Sequence, residues 1–324
     1  MVDKFGRTIE YMRVSVTDRC DLRCRYCMPP EGCEKVPMSS ILTYEQIVRI
    51  CRVSADLGIS RIKITGGEPF ARLGCTGLIR DIRSLPGIEQ VTVTTNGQTL
   101  ENHIEELKAA GVDGINIRLD TLDPERFAYI TGRGTLEKTL RAIELAAGSG
   151  IKTKINSLIM KGFNEDEITA LAEFAFRYGI DTRFIEMMPV GAADAGKGIS
   201  NETVLAVLKE RWPELVPDES IHGNGPAVYY KRPGERGAIG LISAMHGKFC
   251  ENCNRVRLTS QGEIKPCLCY DTGTDIRPFL SESDEKLREA VRNAIFEKPE
   301  AHCFDTMNGA GGHAEHRLMS QIGG

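Results

Sequence analysis

From about residue 11 to residue 212 the chain repeats one pattern six times, a short strand-like run followed by a longer helix-like one. The strand candidates are residues 12–17, 61–65, 90–95, 115–120, 151–160 and 182–188. Helix starts are readable between them, because Thr43 with Gln46 and Asn164 with Glu167 have the spacing of capping boxes. Gly58, Gly111 and Gly179 stand where helices are expected to end. Successive β-then-α units imply a parallel sheet with right-handed crossovers. A six-stranded partial barrel and an open doubly wound sheet both satisfy this periodicity.

The faces of the strands lean towards the barrel. Ile62 and Ile64 alternate with Lys63 and Thr65, and Val91 and Val93 with Thr92 and Thr94. Ile115, Ile117 and Leu119 alternate with Asn116, Arg118 and Asp120, while Lys152, Lys154 and Asn156 share one face of the next strand. A parallel sheet between two helical layers is apolar on both faces, and a closed eight-stranded barrel fills its interior with branched apolar side chains. One apolar and one polar, partly cationic face predicts something else. The expected fold is α/β, an incomplete (β/α)6 TIM-type barrel over residues 1–213, whose lumen holds a polar, anionic ligand. An edge strand or solvated surface is the alternative for any one of these strands.

After residue 212 the alternation stops, and residues 214–324 read as a C-terminal region of different construction. Residues 214–225 are a connection rich in turn formers. Strand-like AVYYKR and GAIGLIS follow, then a helical stretch near 284–297 and a Gly-rich tail. GAGGH at 309–313 reads as part of that tail rather than a phosphate loop, because no strand precedes it.

Composition narrows the partners. No run approaches the ~18–20 apolar residues of a membrane span, and the N-terminal residues lack a secretory pattern, so the expected location is the cytosol. A net charge of −4 argues against a general nucleic-acid surface, so any cationic site must be local. The 11 cysteines cluster at Cys20, Cys24 and Cys27 and again at Cys250, Cys253, Cys267 and Cys269. Close spacing in a reducing compartment favours metal over disulfides. Cys33, Cys51, Cys75 and Cys303 are scattered and read as buried small hydrophobes or surface thiols.

Spacings of three and two residues put Cys20, Cys24 and Cys27 on one loop after the first strand. Three thiolates reach three corners of a [4Fe–4S] cubane, which usually takes four cysteines, and leave one iron open. A zinc site completed by a distant ligand is the alternative. Thr65-Gly66-Gly67-Glu68-Pro69 ends the second strand and Thr94-Thr95-Asn96-Gly97 the third, and strand C-termini are where α/β barrels place ligands. CxxxCxYC followed by GGEP resembles the radical S-adenosylmethionine superfamily. The resemblance implies a [4Fe–4S] cluster on the three cysteines, with S-adenosylmethionine chelated to the fourth iron and cleaved reductively. It implies contacts to S-adenosylmethionine from Tyr26, Gly67, Glu68, Thr95, Asn96, Arg118 and Met188.

The second group, Cys250-x2-Cys253 and Cys267-x-Cys269, also fits a zinc knuckle. Arg255 and Arg257, two residues apart, suit a phosphate if the segment is extended, or lie on the surface. With VTDRC, ITGGEP, LDTLDPERF, ITGRG, RFIEMMP, FCENCNRVRLTSQGEIKPCL and the final Gly323-Gly324, nearly the whole chain resembles the GTP 3′,8-cyclases of molybdenum cofactor biosynthesis.

That resemblance implies a second [4Fe–4S] cluster on Cys250, Cys253 and Cys267, its open iron binding guanine. It implies GTP contacts from Arg13, Lys63, Lys154, Arg183, Arg255 and Arg257, and a tail whose Gly323 and Gly324 assist catalysis. The implied reaction removes the ribose 3′ hydrogen and joins C3′ to C8, giving 3′,8-cyclo-7,8-dihydro-GTP. An electron donor and a following cyclic pyranopterin monophosphate synthase are implied as partners, while the sequence leaves the oligomeric state open between a monomer and a homodimer. Two departures stand out: Arg118 replaces the family's usual Ser, and Cys269 offers a possible fourth ligand to the second cluster, where it reads as a bystander. The rivals are a peptide-modifying radical enzyme with an auxiliary cluster and a non-catalytic zinc or iron–sulfur protein that binds nucleic acid.

Overall fold

The computed structural model describes residues 1–34, 36–247, 249–304 and 315–323. The six expected strands form as β1 (Tyr11–Ser15), β2 (Arg61–Thr65), β3 (Gln90–Thr95), β4 (Gly114–Arg118), β5 (Lys152–Leu158) and β6 (Asp181–Ile185). Each pairs in parallel with the next. Between and after them lie α1 (Tyr44–Ala55), α2 (Cys75–Arg83), α3 (Ile104–Ala109), α4 (Pro124–Thr131), α5 (Leu136–Gly148), α6 (Ile168–Tyr178) and α7 (Asn201–Arg211). Ile62, Ile64, Val91, Val93, Ile115 and Ile117 belong to the buried core, each contributing about 1.5–3 kcal/mol on removal from water. Their alternating neighbours face inward.

The later strands are β7 (Val216–Asp218), β8 (Val228–Lys231), β9 (Ile239–Ile242), β10 (Arg255–Leu258), β11 (Glu263–Lys265) and β12 (Thr274–Asp275), with α8 (Asp284–Phe296) and α9 (Met319–Ile322). They extend the same sheet at both edges, in the order β12-β11-β10-β1-β2-β3-β4-β5-β6-β9-β8-β7. β10 runs parallel to β1, and β9 parallel to β6. The sheet ends on β12 at one side and β7 at the other, so the barrel stays incomplete.

Thr43 and Gln46 form the expected capping box, with each side chain accepting the other's backbone N–H at 3.2 and 2.8 Å. Gly58, Gly111 and Gly179 have positive φ just beyond α1, α3 and α6. The second expected capping box does not form. Asn164 is buried, and its amide donates to the Asp120 and Leu158 carbonyls at 2.6 and 3.0 Å. Glu167 accepts from Thr121 Oγ1 and Leu122 N, both at 2.6 Å. Buried carbonyls between strands had the stronger claim on these side chains than a partly exposed helix end. The GAGGH segment lies outside the described residues.

Candidate active site

The inward face of the sheet surrounds a cavity of about 400 Å³. Its carboxyl end is built from the first cysteine loop, which lies on the last turn of α4: the Arg23 and Arg25 amides donate to the Thr131 and Ile130 carbonyls at 2.7 and 3.0 Å. Arg23 Nη1 donates to the Cys20 and Leu22 carbonyls, each at 2.7 Å. Gly67 and Glu68 donate to the Thr17 and Arg19 carbonyls, both at 2.8 Å. A Cβ on Gly67 would stand 2.3 Å from the Arg19 carbonyl oxygen, so only glycine lets the two loops join. Cys20, Cys24 and Cys27 all line the cavity. Burial pushes the Cys24 thiol up to about 11 and Cys27 to about 12, so binding as thiolates needs a positive metal group beside them.

Glu68 braces the neighbouring strand end, accepting from Thr95 Oγ1 and the Asn96 amide, both at 2.8 Å. Burial raises its carboxyl to about 8, against the lowering effect of these hydrogen bonds. Arg118 forms an ion pair with Asp120 at 3.1 Å, and its guanidinium lies 4.2 Å from the Tyr26 ring centroid. Tyr26 donates to the same carboxylate at 2.7 Å. The unusual arginine is thus neutralised in place. Met188 lines the cavity from the segment after β6.

The second cysteine group closes the amino end of β1. Cys250 and Cys253 precede β10, and the antiparallel return through β11 brings Cys267 back to the same end. Two residues without a recognisable local signal hold this loop. Arg7 Nη1 donates to the Cys250 carbonyl at 2.9 Å, and the buried Lys298 ammonium donates to the Arg255 and Pro266 carbonyls at 2.8 and 2.6 Å. Burial alone would raise the Cys253 thiol, but Arg255 and Lys298 bring it down to about 7. Cys269 is fully buried, and its sulfur accepts the Cys303 amide at 2.9 Å.

Between the two triads the structure gathers Arg13, Lys63, Lys154, Arg183, Arg255 and Arg257 around one space. The register explains this, since Arg13 stands opposite Lys63 on β2 and Arg257 on β10. Burial and the neighbouring cations depress Lys63 well below the usual ammonium range. Arg183 is aimed by Asn156 at 2.9 Å and by Asn116. Lys154 is held by Asp181 at 2.8 Å, the Tyr229 hydroxyl at 2.9 Å and the His222 carbonyl at 2.5 Å. Asp181, His222 and Tyr229 escaped sequence reasoning because each is distant in the chain and sits in no motif.

The tail enters the same space. Arg257 donates to the Gly323 carbonyl, and Ile322 is fully buried. Gly324 lies outside the described residues.

No two of the eleven cysteines are joined by a disulfide. Among the described residues, no three His, Cys, Asp or Glu side chains converge on a point suited to one metal ion. Cys20, Cys24 and Cys27 face the cavity at one end and Cys250, Cys253 and Cys267 at the other, and cysteine thiolates are the usual ligands of iron–sulfur clusters.

Family models match along most of the chain: the radical S-adenosylmethionine superfamily over residues 14–175 and Molybdenum Cofactor Synthesis C over residues 180–304. Among solved structures, SuiB of Streptococcus suis bound to S-adenosylmethionine is similar with a TM-score of 0.63 and 17% identity, over 93% of this chain and 74% of that one. At that identity the likeness concerns the fold alone. A GTP 3′,8-cyclase of Clostridium perfringens (strain SM101 / Type A) is 41% identical, and one of Syntrophomonas wolfei is 42% identical. Both alignments cover 100% of this chain and 100% of the relative. The chain belongs to the radical S-adenosylmethionine superfamily and, within it, to the GTP 3′,8-cyclase family. That family uses S-adenosylmethionine and two [4Fe–4S] clusters, and the two thiol triads fit such clusters.

Proposed function

We propose that the chain converts GTP to 3′,8-cyclo-7,8-dihydro-GTP, the first step of molybdenum cofactor biosynthesis. The observation that carries this reading is the set of six cations gathered between two cysteine triads in one cavity. Cys20, Cys24 and Cys27 would hold one [4Fe–4S] cluster, and Cys250, Cys253 and Cys267 the other. Reduced and bound to S-adenosylmethionine, the first would supply a carbon radical able to take the ribose 3′ hydrogen, giving 5′-deoxyadenosine, and C3′–C8 bond formation would then be completed by one further electron and a proton.

The chain's own part is to bind, orient and exclude water. Gly67, Glu68, Thr95 and Asn96 shape the floor under S-adenosylmethionine, with Tyr26, Arg118 and Met188 around it. Arg13, Lys63, Lys154, Arg183, Arg255 and Arg257 neutralise the triphosphate, and in a dry cavity each contact is stronger than in water. Guanine reaches the second cluster, leaving Cys269 aside. Gly323 lies against Ser15 and Thr65, where a side chain would collide, and the Gly323-Gly324 end assists catalysis. Residues 1–213 carry the radical-forming half, and residues 214–324 the auxiliary cluster and much of the substrate site.

The reading includes a one-electron donor, a cyclic pyranopterin monophosphate synthase that takes the product, a cytosolic location and a homodimer. Among the described residues no helix is long and apolar enough to cross a membrane. The test is anaerobic incubation of the reconstituted protein with S-adenosylmethionine, reductant and GTP. Formation of 5′-deoxyadenosine and a cyclised guanine nucleotide is expected; absence of both sinks the assignment.

A further inference from the structure

The loop between β7 and β8 does more than connect them. It crosses the amino end of the barrel, where the Asn224 amide donates to Gln90 at the start of β3 and His222 meets Asp181 at the start of β6. His222, Gly223, Asn224, Gly225 and Pro226 all line the cavity. The loop is one chain thick: Ile221 is 89% exposed, whereas the next side chain, His222, is only 13% exposed.

His222 is fixed on every side. Its Nδ1 lies 2.9 Å from Asp181 Oδ2, and its Nε2 lies 3.0 Å from both Asp218 Oδ2 and Ser220 Oγ. The ring stacks on Tyr229 with centroids 4.0 Å apart and planes 13° from parallel. Its carbonyl takes the Lys154 ammonium, and Lys154 shares Asp181 Oδ2 with the His222 ring. One residue therefore ties the loop to three strands and to a cation of the substrate cavity.

We propose that residues 219–226, latched by His222, seal the amino end of the barrel and keep the phosphate end of the cavity dry, making His222 a positioning residue for a polyanion. The proposal rests on reading this cavity as a nucleoside triphosphate site. The physical reason is dielectric. Charges separated from solvent interact far more strongly than hydrated ones, and water or salt entering through an open floor screens them. The loss on opening the floor must then grow with the number of phosphates on the ligand, which a general loosening of the fold does not produce.

The test uses the anaerobically reconstituted full chain, with equilibrium binding of GTP, GDP, GMP and inorganic tripolyphosphate to wild type and His222→Ala. Expected are a weakening of about tenfold for GTP and tripolyphosphate but no more than about twofold for GMP, with a steeper salt dependence in the variant. Asp218→Asn, which keeps the ring and its stacking, should follow the same order with smaller losses, and it decides the matter if His222→Ala does not fold. Equal losses for all four ligands, or none, overturn the seal. Tripolyphosphate lacks guanine, so its graded loss supports the seal even where no cyclised product forms. Unchanged tripolyphosphate binding removes the seal even where product forms normally.

Discussion

Replacing Gly323 by alanine tests how the tail is held. Gly323 has φ +81 and ψ 96, a conformation costing a residue with a side chain about 1–3 kcal/mol. The added Cβ would stand 2.9 Å from Ser15 Cβ and 3.2 Å from Thr65 Oγ1. Both neighbours are buried strand residues, so relief must come from the tail, and such overpacking costs about 1–3 kcal/mol more. Against this stand the burial of Ile322, about 1.5–3 kcal/mol, and the Arg257 hydrogen bond, about 1–3 kcal/mol. The two sides are comparable, so the substitution should bring the docked tail down from nearly complete to about half of the population. A shift of only ~2 kcal/mol already changes that population about thirtyfold. Anaerobic product formation should fall in parallel with hydrogen-exchange protection at residues 318–323, while iron content stays unchanged. A variant with wild-type protection and wild-type rate would refute the steric reasoning.

Arg257→Ala should weaken GTP binding by about 1–3 kcal/mol through loss of a charged hydrogen bond, read by anaerobic calorimetry; unchanged affinity takes Arg257 out of phosphate recognition. Cys267→Ala should lose the iron of one cluster whereas Cys269→Ala retains it, because the Cys269 sulfur already accepts the Cys303 amide; equal iron loss in both would make Cys269 a ligand. Glu186 accepts from the Asn201, Met245 and His246 amides at 2.9, 2.8 and 3.1 Å. Burial raises its carboxyl, but these donors outweigh it and hold it below its usual value of 4.5. Its stabilising contribution is therefore present above about pH 4.5 and is lost as pH falls through the folded value. Glu186→Gln should lower the melting temperature at pH 7 by a few degrees, for a loss of about 1–3 kcal/mol. That gap should close on acidification, and a gap constant down to pH 3 would contradict the sign.

Local chemistry was legible in the sequence wherever the responsible residues lie close together in it. The strand-helix alternation announced a parallel α/β sheet, the polar faces of its strands leaned towards an incomplete barrel, and the spacing of Cys20, Cys24 and Cys27 announced a three-thiol loop. The alternation of Ile62 and Ile64 with Lys63 placed a cation in the lumen, because a strand sends successive side chains to opposite faces. The same reasoning missed Asn164, whose spacing to Glu167 matched a capping box, because its burial against Asp120 and Leu158 depends on how two strands meet.

Tertiary structure alone decided the rest. Four-residue strands such as β9 and β10 carry too little pattern to reveal that they join opposite edges of the barrel. Nor does anything near His222 in the chain point to Lys154, or anything near Gly323 to Arg257. Those pairs meet through sheet register, which is set by burial of the apolar strand faces across the whole molecule. Sequence thus determined which loops and strands could carry thiols and cations. The pairing and register of the sheet determined which of them share one cavity, and what seals it.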